Sequence, residues 1–492
     1  MTATSTREVT GAPTLGVEMN GINTIDESER KGIPGNLFWP WAGANVSVFG
    51  IAYGSFLLGF GVSFWQATIV GIIGIVVSFL FVGVIALAGK RGSAPTLVLS
   101  RSIFGVNGNR IPSVLSWVLT VGWETVLVSL AALATATVIT ALGGDGQSPI
   151  TKLLALVVVA ALVIAAGVMG FDLILKLQFW ITIATVVLTV AYIIITLASG
   201  AVDFAAVAAL PAGDAPAVIG GLVFMMTGFG LGWVNAAADY SRYLPRSASN
   251  RGVVGWTTFG ASFAPVILLV FGLLLAGSSE ELRGQIGADP IGALAGILPV
   301  WFLIPFAVVA VLGLVGGAVL DIYSSGLSLL SAGLRVRRPV AAGIDGAIMV
   351  AGAIYIVFFA SSFIGPFQAF LIILGVPIAA WAGIFLADTV IRRTGYAEKD
   401  LYTASGRYGS WNWVPIALFA LGSFIGWGFV SVYFSDAFTY YGYFIDAVGG
   451  ADGAWAFANL GVLFSLVIGF VGYLVFGRRA VTKQESIPLG ND

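Results

Sequence analysis

The sequence predicts an all-α, polytopic membrane protein of twelve transmembrane helices, and three observations carry that prediction. Of 492 residues, 58% are apolar and only 10% are charged, with a mean hydropathy of +0.98. Apolar runs of about 20 residues, the length a helix needs to cross a hydrocarbon core of about 30 Å, recur along the whole chain. The cations sort to one side of those runs. Lys plus Arg (23) against Asp plus Glu (24) leaves a net charge of −1, so no basic field exists to hold nucleic acid. With no Cys and no His, the chain has neither thiolate nor imidazole for a zinc site, a disulfide or a Ser-His-Asp relay. Neither a metal nor an organic cofactor is expected, and an enzyme is not.

Lipid offers no partner to an unpaired backbone group, so each run must close its own hydrogen bonds as a helix. Taken in order, spans one to twelve lie near 38–62, 67–88, 112–141, 150–168, 171–199, 216–240, 253–277, 299–333, 341–360, 365–391, 412–434 and 455–477. An even count with the N-terminus inside puts every Lys and Arg from Arg7 to Lys483 on the cytoplasmic side except Lys152 and Arg283, as the bias of cations toward cytoplasmic loops requires. The opposite side carries Asp145, Asp203, Asp214, Glu280, Glu281, Asp289, Asp436, Asp446 and Asp452. Residues 1–36 are polar and mixed in charge, without an apolar stretch resembling a signal peptide. They read as a mobile cytoplasmic tail, and residues 479–492 as a second, shorter one. Both termini of this multi-pass protein are therefore expected inside the cell membrane, and a monomer is expected.

Transporters that bind at the bilayer midplane do so where helices are interrupted by Gly or Pro at matching places in two halves. Span one contains Trp39-Pro40-Trp41-Ala42-Gly43-Ala44-Asn45-Val46-Ser47, followed by Gly50 and Gly54. Span six contains Thr227-Gly228-Phe229-Gly230-Leu231-Gly232-Trp233-Val234-Asn235. Each Gly costs about 1 kcal/mol relative to Ala in a helix interior, so an unbroken span six is disfavoured. The competing explanation is close helix packing through small residues, as in Gly50-x-x-x-Gly54. No strand precedes Gly228 and the spacing is wrong for a nucleotide loop.

A carboxyl within the bilayer is costly and is by default a candidate for function. Glu124, a third of the way along span three from its inner end, and Asp321, in the inner half of span eight, are the deepest. Asp239, Asp345 and Asp388 lie nearer helix ends, and an ion pair with Arg242 would explain Asp239. Structural hydrogen bonding is the alternative for both deep acids. Among 14 Trp, most suit interfacial belts or packing. Trp123 beside Glu124 and Trp233 at the span-six glycines stand apart, since a flat indole can wall a slot for a planar ligand. Simple packing remains open for each.

The loop between spans two and three reads Gly89-Lys-Arg-Gly92-x-x-Pro95-Thr96, then Ser100-Arg101-Ser-x-Phe104-Gly105-x-x-Gly108-x-x-x-Pro112. Together with Trp41-x-x-Ala44-Asn45, Gly61-x-Ser63-x-Trp65-Gln66-Ala67, Ala237-Ala-Asp239-Tyr-Ser-Arg242-Tyr-Leu-Pro245 and Tyr323-Ser-Ser-Gly-Leu327, it resembles the purine-cytosine permeases, the nucleobase:cation symporter-1 family, from about Gly21 to Arg479. The resemblance implies a LeuT-like five-plus-five inverted repeat with two extra C-terminal helices. Its repeats would be residues 37–200 and 215–395, followed by 411–478. It implies alternating access and a site among spans one, three, six, eight and ten. The family's stacking Trp of span three falls on Trp123, and its second ring, in span six, on Phe229 or Trp233.

The expected function is import of a nucleobase, cytosine or a purine, with allantoin, a hydantoin, uracil or a vitamin ring as alternative ligands. Ring atoms would meet Asn45, Glu124, Asn235, the backbone from Gly228 through Gly230 to Gly232, and Gln368 at the outer end of span ten. Sodium-coupled members look to place hydroxyls in span eight, where this chain has Leu312-Gly-Leu-Val-Gly-Gly-Ala318. A hard cation wants several oxygens. H+ coupling through Glu124 or Asp321 is therefore expected over Na+ coupling. A channel would need a pore-lining filter, and an intramembrane enzyme a paired acid and nucleophile; neither pattern is present.

Overall fold

The structure, a computed structural model, describes residues 20–360, 364–435 and 437–488, the side chains at 171 and 172 excepted. Arg7, Asp436 and residues 1–19 of the expected tail lie outside the described residues. Among those described, nine helices are long and apolar enough to cross a membrane, or eleven if two bent pairs each count as one. The nine correspond to spans two to ten: Phe64–Gly92, Arg110–Ala141, Pro149–Met169, Leu173–Ala198, Ala215–Ser241, Asn250–Ser278, Val300–Ser331, Arg338–Phe359 and Ile364–Ile391. Span one is the first bent pair, and span twelve, Leu460–Phe476, begins the second. Span eleven is helical over the 16 residues Trp413–Gly428.

Local chemistry explains several starts. Ser63 accepts from Gln66 N while the Gln66 side chain returns to Ser63 N, a capping box. Asp214 accepts from Ala217 N ahead of Pro216, using both the acid and the proline preferences of a first turn. Span three packs along span eight, span two along span seven, and span ten along span twelve. Where span one crosses span seven, a Cβ on Gly54 would stand 2.2 Å from the Gly272 carbonyl carbon. The small-residue reading of Gly50 and Gly54 therefore holds for this crossing, beside a break that lies just before it.

Four expectations need correction. Span eleven ends at Gly428, well short of 434, and Ser431–Ser435 and Phe438–Tyr441 form an antiparallel hairpin after it. Its alternating Val432, Tyr433, Phe434, Thr439 and Tyr440 suit a pleated surface better than a helix. Helices Glu280–Ala288 and Pro290–Gly296 occupy the connection read as a loop between spans seven and eight. The amino-terminal segment from residue 20 is docked. Arg30 is buried and donates to Leu244 O, Lys90 O and Ser93 Oγ, while Arg246 pairs with Glu27 and Glu398. The carboxy-terminal segment is docked too, as helix Arg478–Glu485. Gln484 donates to Ser102 O, and Glu485 accepts from the amides of Arg393 and Thr394. Hydropathy reads these segments as tails because what holds them is individual hydrogen bonds and a few scattered buried side chains, Ile25 and Val481 among them, and no continuous apolar run.

One buried pair ties this end together. Arg392 meets Asp388 through Nε at 2.8 Å and Nη2 at 2.9 Å, and Tyr473 and Gln484 complete the set. Removing one member of such a pair leaves the other charge buried and alone, at about 3–5 kcal/mol. Arg392→Met is expected to lower the apparent Tm in detergent clearly, and an unchanged Tm would show that the pair contributes nothing.

Candidate substrate site at two helix breaks

Span one stops at Asn45, turns through Val46, Ser47 and Val48, and resumes at Phe49 with a bend of 66°. The turn faces a glycine stripe on span eight. A Cβ on Gly313 would stand 2.8 Å from Val46 O, on Gly316 2.9 Å from Gly43 O, and on Gly317 3.4 Å from Ala44 O. Those glycines let span eight lie against the carbonyls of the break, and they bring no side-chain oxygen to them. Gln178 of span five fills the remaining angle, donating to Gly316 O at 2.7 Å.

Span six is helical to Gly228, leaves helical geometry at Phe229 (φ −120, ψ −105), forms one turn over Gly230–Trp233, then tightens to a 3₁₀ turn over Val234–Ala236. Gly230 N donates to Ser78 Oγ of span two at 3.0 Å, and Tyr53 of span one donates to Gly228 O at 3.3 Å. Both halves of the break are thus pinned by hydroxyls from neighbouring spans.

Two indoles lie at this break, Trp233 within it and Trp123 against its backbone. Trp123 and Trp233 are half-buried, and a Cβ on Gly232 would stand 3.1 Å from Trp123 Nε1. Trp41 closes one side, edge-on to Trp233 at 5.8 Å. Phe229 is buried, 4.6 Å from the Tyr53 ring and 6.3 Å from that of Phe79. Asn45 is half-buried, with Nδ2 donating back to Trp41 O at 2.9 Å. Asn235 lies two residues beyond Trp233, buried, donating to Ser116 Oγ at 2.8 Å while its Oδ1 has no partner. Gln368 is remote from the indoles: it lines a vestibule of about 730 Å³ with Ser55, Phe56, Asp214, Glu280 and Arg283. Rings bridge the two places, since Phe56 packs on Phe367 at 6.2 Å and Phe367 stands edge-on to Trp123 at 5.5 Å.

Glu124 and Asp321 are both buried, and neither Glu124 oxygen has a hydrogen-bond partner. Neither Asp321 oxygen has a hydrogen-bond partner. Asp239 is held by the amide and hydroxyl of Thr96 at 2.9 and 2.8 Å, while Arg242 reaches Gly21 O and the Tyr243 and Tyr323 hydroxyls. The sequence reading passed over Gln178 and took Asp345 only as an acid near a helix end. A glutamine in the apolar run after Lys176 was the available signal for the first.

The sequence model of the family described as "Permease for cytosine/purines, uracil, thiamine, allantoin" matches residues 24–456. The chain belongs to this permease family. It is a membrane transporter and not an enzyme. A Bacillus subtilis (strain 168) protein named as a purine-cytosine permease, YxlA, is 25% identical over 486 residues, 95% of this chain and 97% of that one. Mhp1, a nucleobase-cation-symport-1 family transporter solved in a closed conformation with bromovinylhydantoin bound, superposes with a TM-score of 0.67 at 18% identity, covering 97% of this chain and 98% of the other. The inward-facing conformation of Mhp1 gives 0.65 at 17% identity, covering 96% and 100%. At those identities the likeness is one of fold.

Proposed function

We propose that this permease imports cytosine or a purine base in symport with protons, the ring held between Trp123 and Trp233. The supporting observation is the approach of half-buried Trp123 to Gly232, whose missing side chain leaves Trp123 Nε1 against the backbone next to the half-buried Trp233. A flat heterocycle fits between such faces, and a puckered ring does not. Glu124 and Asn45 supply polar contacts to the ring edge, Asn235 supports the floor through Ser116, and Gln368 meets the ligand earlier, in the vestibule. Phe229 serves the break as packing.

Residues 37–200 and 215–395 act as the two repeats, followed by 411–478, with twelve spans and the basic loops on the cytoplasmic side. Proton coupling follows from the span-eight stripe: Gly313, Gly316 and Gly317 bring no hydroxyl to the carbonyls of the span-one break, whereas a hard cation needs several oxygens. Glu124 and Asp321 are the proton-binding groups. In proteoliposomes of the purified protein, labelled cytosine should accumulate under an inward proton gradient and do so equally in sodium or potassium. Equal uptake with and without the pH gradient would count against proton coupling. Competition by hydantoin, allantoin or uracil, but not by cytosine or adenine, would move the substrate elsewhere in the family.

A further inference from the structure

The vestibule among the acidic loops has a chemistry of its own. Its volume of about 730 Å³ falls within the range of about 300–1,000 Å³ found for small-molecule sites. Gly284 and Gly287, both in its lining, share one face of the helix Glu280–Ala288, and a Cβ on either would meet nothing within 4 Å. The space over that face is therefore open. Phe56, Phe60 and Phe457 supply apolar walls. Phe60 is set by its neighbours, 5.8 Å from the Phe224 ring and close enough to Gly220 that a Cβ there would stand 3.1 Å from it.

Hydrogen-bonding groups of both kinds converge on the same cavity. Gln368 is half-buried, and its amide has no hydrogen-bond partner among the described residues. Arg283 and Lys152 are the cations that the charge sorting leaves on this side, and of these Arg283 lines the vestibule. Its main chain is fixed, since Ser55 Oγ of span one donates to Arg283 O at 2.7 Å. Its guanidinium has a loose partner in Glu280, 3.6 Å away on a side chain that is 91% exposed. An exposed pair of this kind is weak, so the flat fork of N–H donors stays available to a ligand. Asp214 and Glu280 add acceptors to the lining.

This set matches the edges of a flat base. An amide, with donor beside acceptor, pairs in two-pronged fashion with an amino group and the adjacent ring nitrogen, as adenine presents them. A guanidinium does the same with a ring carbonyl and its neighbouring nitrogen. Phe56 and Phe367 lie along the way from the vestibule to Trp123, with successive ring centroids 6.2 and 5.5 Å apart.

We propose that the vestibule is a second binding site for a free nucleobase, in which Gln368 and Arg283 take the hydrogen-bonding edge of the ring and Phe56 and Phe60 its faces. This rests on the nucleobase reading and adds a docking step ahead of the indole slot. The outer site is the weaker one, because phenyl rings at an open mouth replace two indoles, and the loss of one aromatic stack alone weakens binding by about 10- to 100-fold. It retains rings that carry donor and acceptor side by side and lets purely apolar rings go.

Equilibrium dialysis of labelled cytosine and adenine against the full-length protein in lipid nanodiscs tests this. Wild type should bind in two steps of about one base each, the second about 10- to 100-fold weaker than the first. Gly287→Trp fills open space and should remove the second step while the first remains. Arg283→Met combined with Gln368→Leu should do the same by removing the polar edge. Gly255→Trp, on the span-seven helix with equally open space around it, should change neither step. With Trp123→Ala and Trp233→Ala together, the first step should go and the second stay. A single step in wild type, or a second step that survives both Gly287→Trp and the Arg283 and Gln368 pair, overturns the outer site and leaves the slot standing. Binding of neither base by wild type overturns the nucleobase reading and the outer site with it.

Discussion

Trp123→Ala is expected to weaken nucleobase binding by about 100-fold, since stacking of a base on an aromatic side chain contributes about 1–3 kcal/mol and each 1.4 kcal/mol is tenfold. The indole is positioned for this by three neighbours. Phe367 and Phe370 hold it edge-on at 5.5 and 6.2 Å, and the Gly232 backbone abuts its ring nitrogen. The ring is therefore set before a ligand arrives, and little ordering cost is deducted from the stack. Trp233→Ala should lose a comparable amount, whereas Phe229→Ala, whose ring lies against Tyr53 and Phe79, should bind within a few fold of wild type while losing thermal stability. Titration calorimetry with cytosine and adenine on the three variants gives the answer. If Phe229→Ala loses binding and Trp233→Ala keeps it, the second wall of the slot has been assigned to the wrong ring.

Gly230→Ala should unsettle the break itself. A Cβ there would stand 2.1 Å from the Ser78 carbonyl carbon and 2.4 Å from Phe79 N and Ser78 O. Those are backbone atoms, which cannot swing aside as a side-chain tip can, so span six must back away from span two and the bond from Gly230 N to Ser78 Oγ opens with it. Overpacking of this kind costs about 3 kcal/mol or more. Gly255→Ala makes the control, because it lies in the span-seven helix with nothing within 4 Å of the new carbon. There alanine should be neutral or gain up to about 1 kcal/mol of helix preference. The apparent Tm of the two variants should move in different directions. Equal shifts would mean that the close approach at Gly230 is relieved at no cost.

The breaks show how far a sequence reaches in such a protein. Gly228, Gly230 and Gly232 mark the span-six interruption because glycine spacing bears directly on helix cost. In span one the same reasoning leans toward packing: Gly50 and Gly54 do pack on span seven, while the interruption falls at Val46, Ser47 and Val48, which carry no breaker. Only the crossing with the Gly313 to Gly317 stripe makes that turn stable. Asp345 is a similar case. Counted along its helix it is an acid near an end, and only the tertiary structure brings a tryptophan and a serine from two other spans to its carboxylate.

The sequence by itself determined the membrane-crossing helices, the sorting of basic and acidic loops, the interrupted span six and the isolation of Glu124 and Asp321, since bilayer thickness and the cost of buried charge act on local composition. The tertiary structure alone decided that residues 20–36 and 478–485 dock, that a hairpin follows span eleven, that the Gly232 backbone abuts Trp123 while Trp233 lies edge-on to Trp41, and that Trp117 and Ser325 hold the Asp345 carboxylate. The physical reason is rotation: which face of a helix meets which neighbour depends on packing with every other helix, and a one-dimensional pattern carries too little of that.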